Sequence, residues 1–181
     1  TINAIIDGND LHRPLTMMTG SDLNISKITI QRGTALKGGG IYNNGGALTI
    51  ANSLITNNKT TGAINTINGR GAGVYSTGSG GNASVLIQNS TISLNSASNQ
   101  GGGVFNQSNS LLTVSNSSVL NNESASSAGG IFNAGANLTI SSSSITGNIS
   151  GGVAGGVYAL RTDMNIQASS ITANQSVGKG G

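Results

Sequence analysis

The sequence predicts an all-β protein, a parallel β-helix of about six to seven coils of roughly 26 residues each. Two observations carry that expectation. Short apolar triplets, all but one with a polar middle residue, return down the whole chain, and all but one of their intervals lie between 25 and 27. Each triplet reads as strand by its period of two. The fixed interval reads as one turn of a solenoid, because a single coil cannot bury its own apolar face and needs an identical neighbour.

Alignment on the triplets gives columns. The first holds Leu23, Leu48, Val85, Leu112, Leu138 and Met164. Two residues on come Ile25, Ile50, Ile87, Val114, Ile140 and Ile166, at intervals of 25, 37, 27, 26 and 26. A third column holds Ile30, Ile55, Ile92, Val119, Ile145 and Ile171. Before each triplet from the second on, a Gly leads into Ile41, Val74, Val104, Ile131 or Val157. Three strand-like pieces per repeat suit coils stacked about 4.8 Å apart.

Each piece has a local reason. Residues 1–22 form a preamble and first coil, in which IIDGND leaves a strand through an Asp-Gly turn. Residues 23–181 are the repeated coils. In the triplet, Leu48 and Ile50 point to the core and Thr49 away. A corner near Asn52 follows, then a second strand with Ser53 and Ile55 inward. Ser53 is matched by Ser90, Ser117, Ser143 and Ser169, small residues whose hydroxyls need partners when buried.

Next comes an Asn column: Asn58, Asn95, Asn122, Asn148 and Asn174, with Gly33 in the same place earlier. Asn and Gly share access to the left-handed conformation of a tight corner. Stacked amides can also bond to one another along a rod. The column is expected to be structural.

All five aromatic residues share one column: Tyr42, Tyr75, Phe105, Phe132 and Tyr158. Alternation sets Tyr42 opposite Ile41, so an inward Ile41 places the rings outward. Facing out, they form a contact surface for sugar rings or another rod, or pack under a loop. Facing in, they form a core ladder. Lys37 and Arg70 share a column on adjacent coils, which suggests an exposed rim or an anion contact.

The interval of 37 marks two insertions, Thr60 to Arg70 and Ser76 to Ala83. Both flank one strand of one coil, so they are expected to project side by side, where loops on a rigid scaffold carry function.

The motifs resemble a known family. IIDGND, LNISKITIQRG (Leu23 to Gly33), GGGIYN (Gly38 to Asn43) and LTIANSLITNN (Leu48 to Asn58) are similar to the passenger regions of polymorphic outer-membrane proteins and other large bacterial surface proteins. The resemblance covers nearly the whole chain. It implies a right-handed coil, secretion to the cell surface, and adhesive or structural use. The same fold also carries polysaccharide lyases, hydrolases and tailspikes, so fold alone does not give function.

The composition narrows the chemistry. Only 7% of the 181 residues are charged, and cysteine is absent. Eight Lys and Arg against five acids give a net charge of +3. They are scattered and not interleaved with aromatics, so nucleic acid is not an expected partner. No stretch is apolar enough to insert in a membrane.

The acids are Asp7, Asp10, Asp22, Glu123 and Asp163. Asp22 and Asp163 share a column but stand five coils apart, about 24 Å along the axis, too far for a carboxylate pair. The lone His12 beside Arg13 and Pro14 reads as a turn residue. No metal constellation is apparent, and the Gly-Gly-Gly runs lack the GK[ST] of a phosphate loop. No catalytic, metal or cofactor residue is assigned.

These readings give a non-enzymatic extracellular β-helix, the stalk or passenger of a surface protein. Residues 1–181 read as one segment of a longer chain, or as a unit that stacks end to end. Its expected partners are copies along the rod axis or host and matrix glycans. The alternatives are a polysaccharide-active enzyme with its site elsewhere and a carbohydrate-binding module using the aromatic column.

Overall fold

The computed structural model describes residues 4–78, 82–178 and 180. Among them no helix occurs, and all the strand pairs are parallel. The chain winds as a β-solenoid of about seven turns, roughly 26 residues apart. Within a coil it visits four faces, shown by Leu54–Thr56, Lys59–Thr60, Val74–Thr77 and Ala83–Gln88. The first face stacks seven strands and the others six each.

The columns read from the sequence are the ladders of the fold. Leu23, Leu48, Val85, Leu112, Leu138 and Met164 pair in succession on the fourth face. Ile30, Ile55, Ile92, Val119, Ile145 and Ile171 do so on the first. Ile41, Val74, Val104, Ile131 and Val157 do so on the third. Apart from Met164 and Ile171, which are exposed in the last coil, these side chains meet in one cluster, in which Ile30, Ile41, Ile55, Ile87, Val104 and Ile140 are fully buried. Each buried Ile contributes about 1.5–3 kcal/mol by leaving water.

Three left-handed columns bend every coil. Asn52, Asn89, Asn116, Ser142 and Ala168 turn the chain from fourth face to first, with φ between 46° and 50°. Arg32, Asn57, Leu94, Asn121, Gly147 and Ala173 turn it after the first face. Gly38, Gly71, Gly101, Ala128 and Ala154 turn it before the third. This corrects one expectation. The left-handed residue is the one before Asn58, Asn95, Asn122, Asn148 and Asn174, so backbone conformation does not select the Asn column.

The first insertion is shorter than expected. Thr60 still pairs with Ala35, and Arg70 bridges Lys37 and Gln100. The extra chain is 61–69, and the following coil pins it. Ser98 Oγ donates to Gly62 O at 2.6 Å, and Asn99 Nδ2 donates to Thr66 O at 2.8 Å and Asn68 O at 3.2 Å. In the second insertion Ser76 and Thr77 belong to a strand and Ala83 begins the next. Residues 79–81 lie outside the described residues, and with them the side-by-side projection.

Candidate functional site

Four side-chain ladders run along the axis. In the Asn ladder, Oδ1 of each Asn accepts from both the backbone N and Nδ2 of the Asn one coil before. For Asn58 and Asn95 both distances are 3.0 Å. Nδ2 also donates back to a carbonyl of the preceding coil, as Asn95 does to Ile55 O at 3.1 Å. Gly33 N closes the ladder on Asn58 Oδ1 at 2.8 Å. These amides are at most 1% exposed from Asn58 to Asn148, so every donor needs its partner.

Glycine makes room for that ladder. A Cβ on Gly103 would stand 3.1 Å from Asn122 Nδ2, and one on Gly73 would stand 3.1 Å from Asn95 Nδ2. The Ser column behaves in the same way. Backbone N of Ser53 donates to Ser90 Oγ at 3.0 Å, and Ser90 N donates to Ser117 Oγ at 3.1 Å.

A third buried polar ladder was not expected from the sequence. Asn43, Ser76, Asn106 and Asn133 are fully buried on the third face. Asn43 clasps Gly46 in both directions at 2.9 Å. Asn106 Nδ2 donates to Ser110 O and to Asn133 Oδ1, each at 2.7 Å. The signal was available: these residues stand two after Ile41, Val74, Val104 and Ile131, so period two sends them inward.

The aromatic column does turn away from the main core, as alternation with Ile41 requires. It is not an open stripe. Tyr75, Phe105 and Phe132 are 2–4% exposed, and Tyr42 and Tyr158 are half-buried. The five rings stack with centroids 5.2, 5.4, 4.8 and 5.1 Å apart, forming a small core of their own with Ala128. The chain folds back over them at Gly38, Gly71, Gly101 and Ala128, which is the loop cover that the outward reading allowed. Tyr75 Oη donates to Gln107 Oε1 at 2.8 Å. Burial, with Tyr42 adding a smaller push, raises its phenol to about 12.

Cations cap these rings from the coil before. Arg13 Cζ lies 4.9 Å from the Tyr42 centroid, Lys37 Nζ 5.6 Å from Tyr75, and Arg70 Cζ 5.1 Å from Phe105. Such contacts are favourable by about 0.5–2 kcal/mol, more when water is excluded. Lys37 and Arg70 are register neighbours, as expected, but half-buried rather than on an exposed rim. Burial holds all three cations below their usual pKa, and Arg70 adds to the shift of Lys37.

The acids fall in four places. Asp7 and Asp10 sit at one end, bound to Arg32 at 3.4 and 2.9 Å, with Lys59 3.7 Å from Asp10. Asp7 is held below the usual carboxylate range, first by Gln31 Nε2 at 2.8 Å, then by the Asn9 N–H and Arg32. Asp22, Glu123 and Asp163 are exposed singly. His12 is exposed in the first turn. Among the described residues no group of His, Cys, Asp and Glu could hold a metal ion. Among the described residues no helix is long and apolar enough to cross a membrane.

A shallow trough of about 670 Å³ follows the corner between fourth and first faces. Asn116, Ser118, Ser142, Ser144 and Ser170 line it, with hydroxyls and amides but no titratable group. Such a lining can hydrogen-bond a ligand but cannot exchange protons with it near neutral pH. Searches with this chain found no matching family model, curated protein or solved structure.

Proposed function

We propose that this chain is a non-enzymatic, extracellular β-helix, the stalk or passenger of a bacterial surface protein with adhesive or filament-forming use. One observation supports this reading above the others. The side chains that recur coil after coil are spent on one another: Asn on Asn, Ser on Ser, ring on ring. The repeated chemistry therefore makes length and rigidity. Among the described residues the paired acids are Asp7 and Asp10, tied to Arg32 and Lys59. The surface presented by the other columns is mainly Ser, Thr and Asn, neutral at all physiological pH values.

Surface labelling of intact source cells with an antibody to the folded chain tests the location. Incubation of the chain with a panel of plant, algal and bacterial polysaccharides, followed by sizing of the polymer, tests the chemistry. The reading expects labelled cells and uncut polymers. A cytosolic antigen, or cleavage of any polymer that scales with protein concentration, would overturn it.

A further inference from the structure

We propose that Arg13, Lys37 and Arg70 form a binding ladder for a linear anionic polysaccharide laid along the coil axis. The three cations come from three successive coils and cap three successive rings. The ion pairs among the described residues all involve Arg32 or Lys59, so none of the three has a protein counter-ion.

Their donors are also held in place and unfilled. Arg13 is fixed by Nε to Gly38 O at 2.8 Å, Nη2 to Lys37 O at 2.9 Å and Nη1 to Thr16 Oγ1 at 3.0 Å. Each of those two terminal nitrogens keeps a second N–H. The Lys37 ammonium lies over its ring without a hydrogen bond. Arg70 Nε is buried without a partner. A buried orphan donor calls for an explanation, and like charges in register on neighbouring strands are unfavourable unless an anion lies between them. A bound carboxylate or sulfate would relieve the second; the buried Nε is closed to a ligand and shows that this end of the Arg70 guanidinium has no protein acceptor.

The polymer's class follows from spacing and from the rings. A linear pyranose chain advances by roughly one strand spacing per ring, so successive anionic groups can meet successive coils. Single-stranded nucleic acid uses exposed aromatic faces for its bases. Here the faces are closed against one another, with interplanar angles of 2° along Tyr42, Tyr75 and Phe105. Past Arg70 the column continues as Gln100, Ser127 and Val153, so the ladder serves a short anionic run.

The inference rests on the proposed function only in that the polymer is held and not cut. The test is equilibrium binding of the full chain to polygalacturonate, cellulose sulfate, uncharged hydroxyethyl cellulose and single-stranded DNA, with the polymers sized afterwards. The proposal expects binding to one or both acidic glycans, weakened by salt, and none to the neutral one. Preference between the first two probes distinguishes carboxylate from sulfate.

Lys37→Gln and Arg70→Gln each should weaken binding about tenfold or more. Arg70→Lys should restore part of the loss. Lys27→Gln and Arg161→Gln carry the same change in net charge and should leave affinity within about twofold. Should Arg70→Gln fail to fold by circular dichroism, Lys37→Gln decides. No binding to either acidic glycan, equal losses in the Lys27 and Arg161 variants, or equal affinity for DNA would overturn the proposal. Cut polymer with intact binding would overturn the proposed function and leave the ladder standing.

Discussion

Asn122 Oδ1 accepts from Asn95 twice, from the backbone N at 3.1 Å and from Nδ2 at 2.9 Å. Asn122 Nδ2 donates to Ile92 O at 3.0 Å and to Asn148 Oδ1 at 3.0 Å. One amide thus joins the coil before to the coil after. Replacing it removes one partner from each of two donors and two acceptors in a dry interior, and leaves the Asn95 backbone N–H without its acceptor.

Asn122→Ala is therefore expected to destabilise the rod by about 3 kcal/mol or more, read from the urea midpoint. Asn174→Ala should cost less, since among the described residues Asn174 serves only Asn148 and Ile145 O. Equal effects at the two positions would contradict the ladder account.

Gly103→Ala tests the space beside that amide. The added Cβ would meet Gly130 O at 2.8 Å, Asn122 Nδ2 at 3.1 Å and Val119 Cγ1 at 3.1 Å. A loss of about 1–3 kcal/mol is expected. In a double-mutant cycle with Asn122→Ala the losses should add to less than their sum, because the second change removes one of the clashing atoms.

Phe105 stands at the middle of the ring column, stacked on Tyr75 and Phe132. Phe105→Ala should cost about 3–5 kcal/mol. Tyr158→Ala, at the tilted and half-buried end, should cost clearly less. Thermal unfolding midpoints of the two variants rank them.

Tyr75 sets an alkaline limit. Its phenol is raised from the usual 10 to about 12, chiefly by burial, so the fold favours the neutral form. The stabilisation is complete below pH 10 and is lost as pH rises from 10 towards 12. Tyr75→Phe should flatten that fall in denaturant titrations. It should also remove a phenol that ionises near 12 from the ultraviolet pH titration. A Tyr75→Phe variant as alkali-sensitive as the parent would place the limit elsewhere.

The apolar columns were readable because period two and a nearly constant coil length act on every repeat. Ile30, Ile55 and Ile92 stack where counting puts them. The outward turn of Tyr42 followed from its neighbour Ile41. Its cover did not, because the cover comes from Arg13 one coil away and from a fold-back at Gly38 that alternation does not describe. The Asn ladder was legible by residue type, and its amides do bond to one another along the rod; only the left-handed corner does not belong to it. The left-handed conformation sits one residue earlier, where Asn57, Asn121 and Gly147 are residue types that favour it but Arg32, Leu94 and Ala173 are not. Asn43 and Asn106 passed unread because their partners, Gly46 and Ser110, lie across a corner.

The Asn ladder has a consequence for how such a chain can change over time. Asn95, Asn122 and Asn148 make the same bonds to the coil before and the coil after, so their coils present compatible surfaces to one another. Duplication or loss of a whole coil would leave both new junctions hydrogen-bonded. Loss of part of a coil would set an amide against a carbon. Length is then a variable the gene can alter in whole steps, while the cross-section stays fixed.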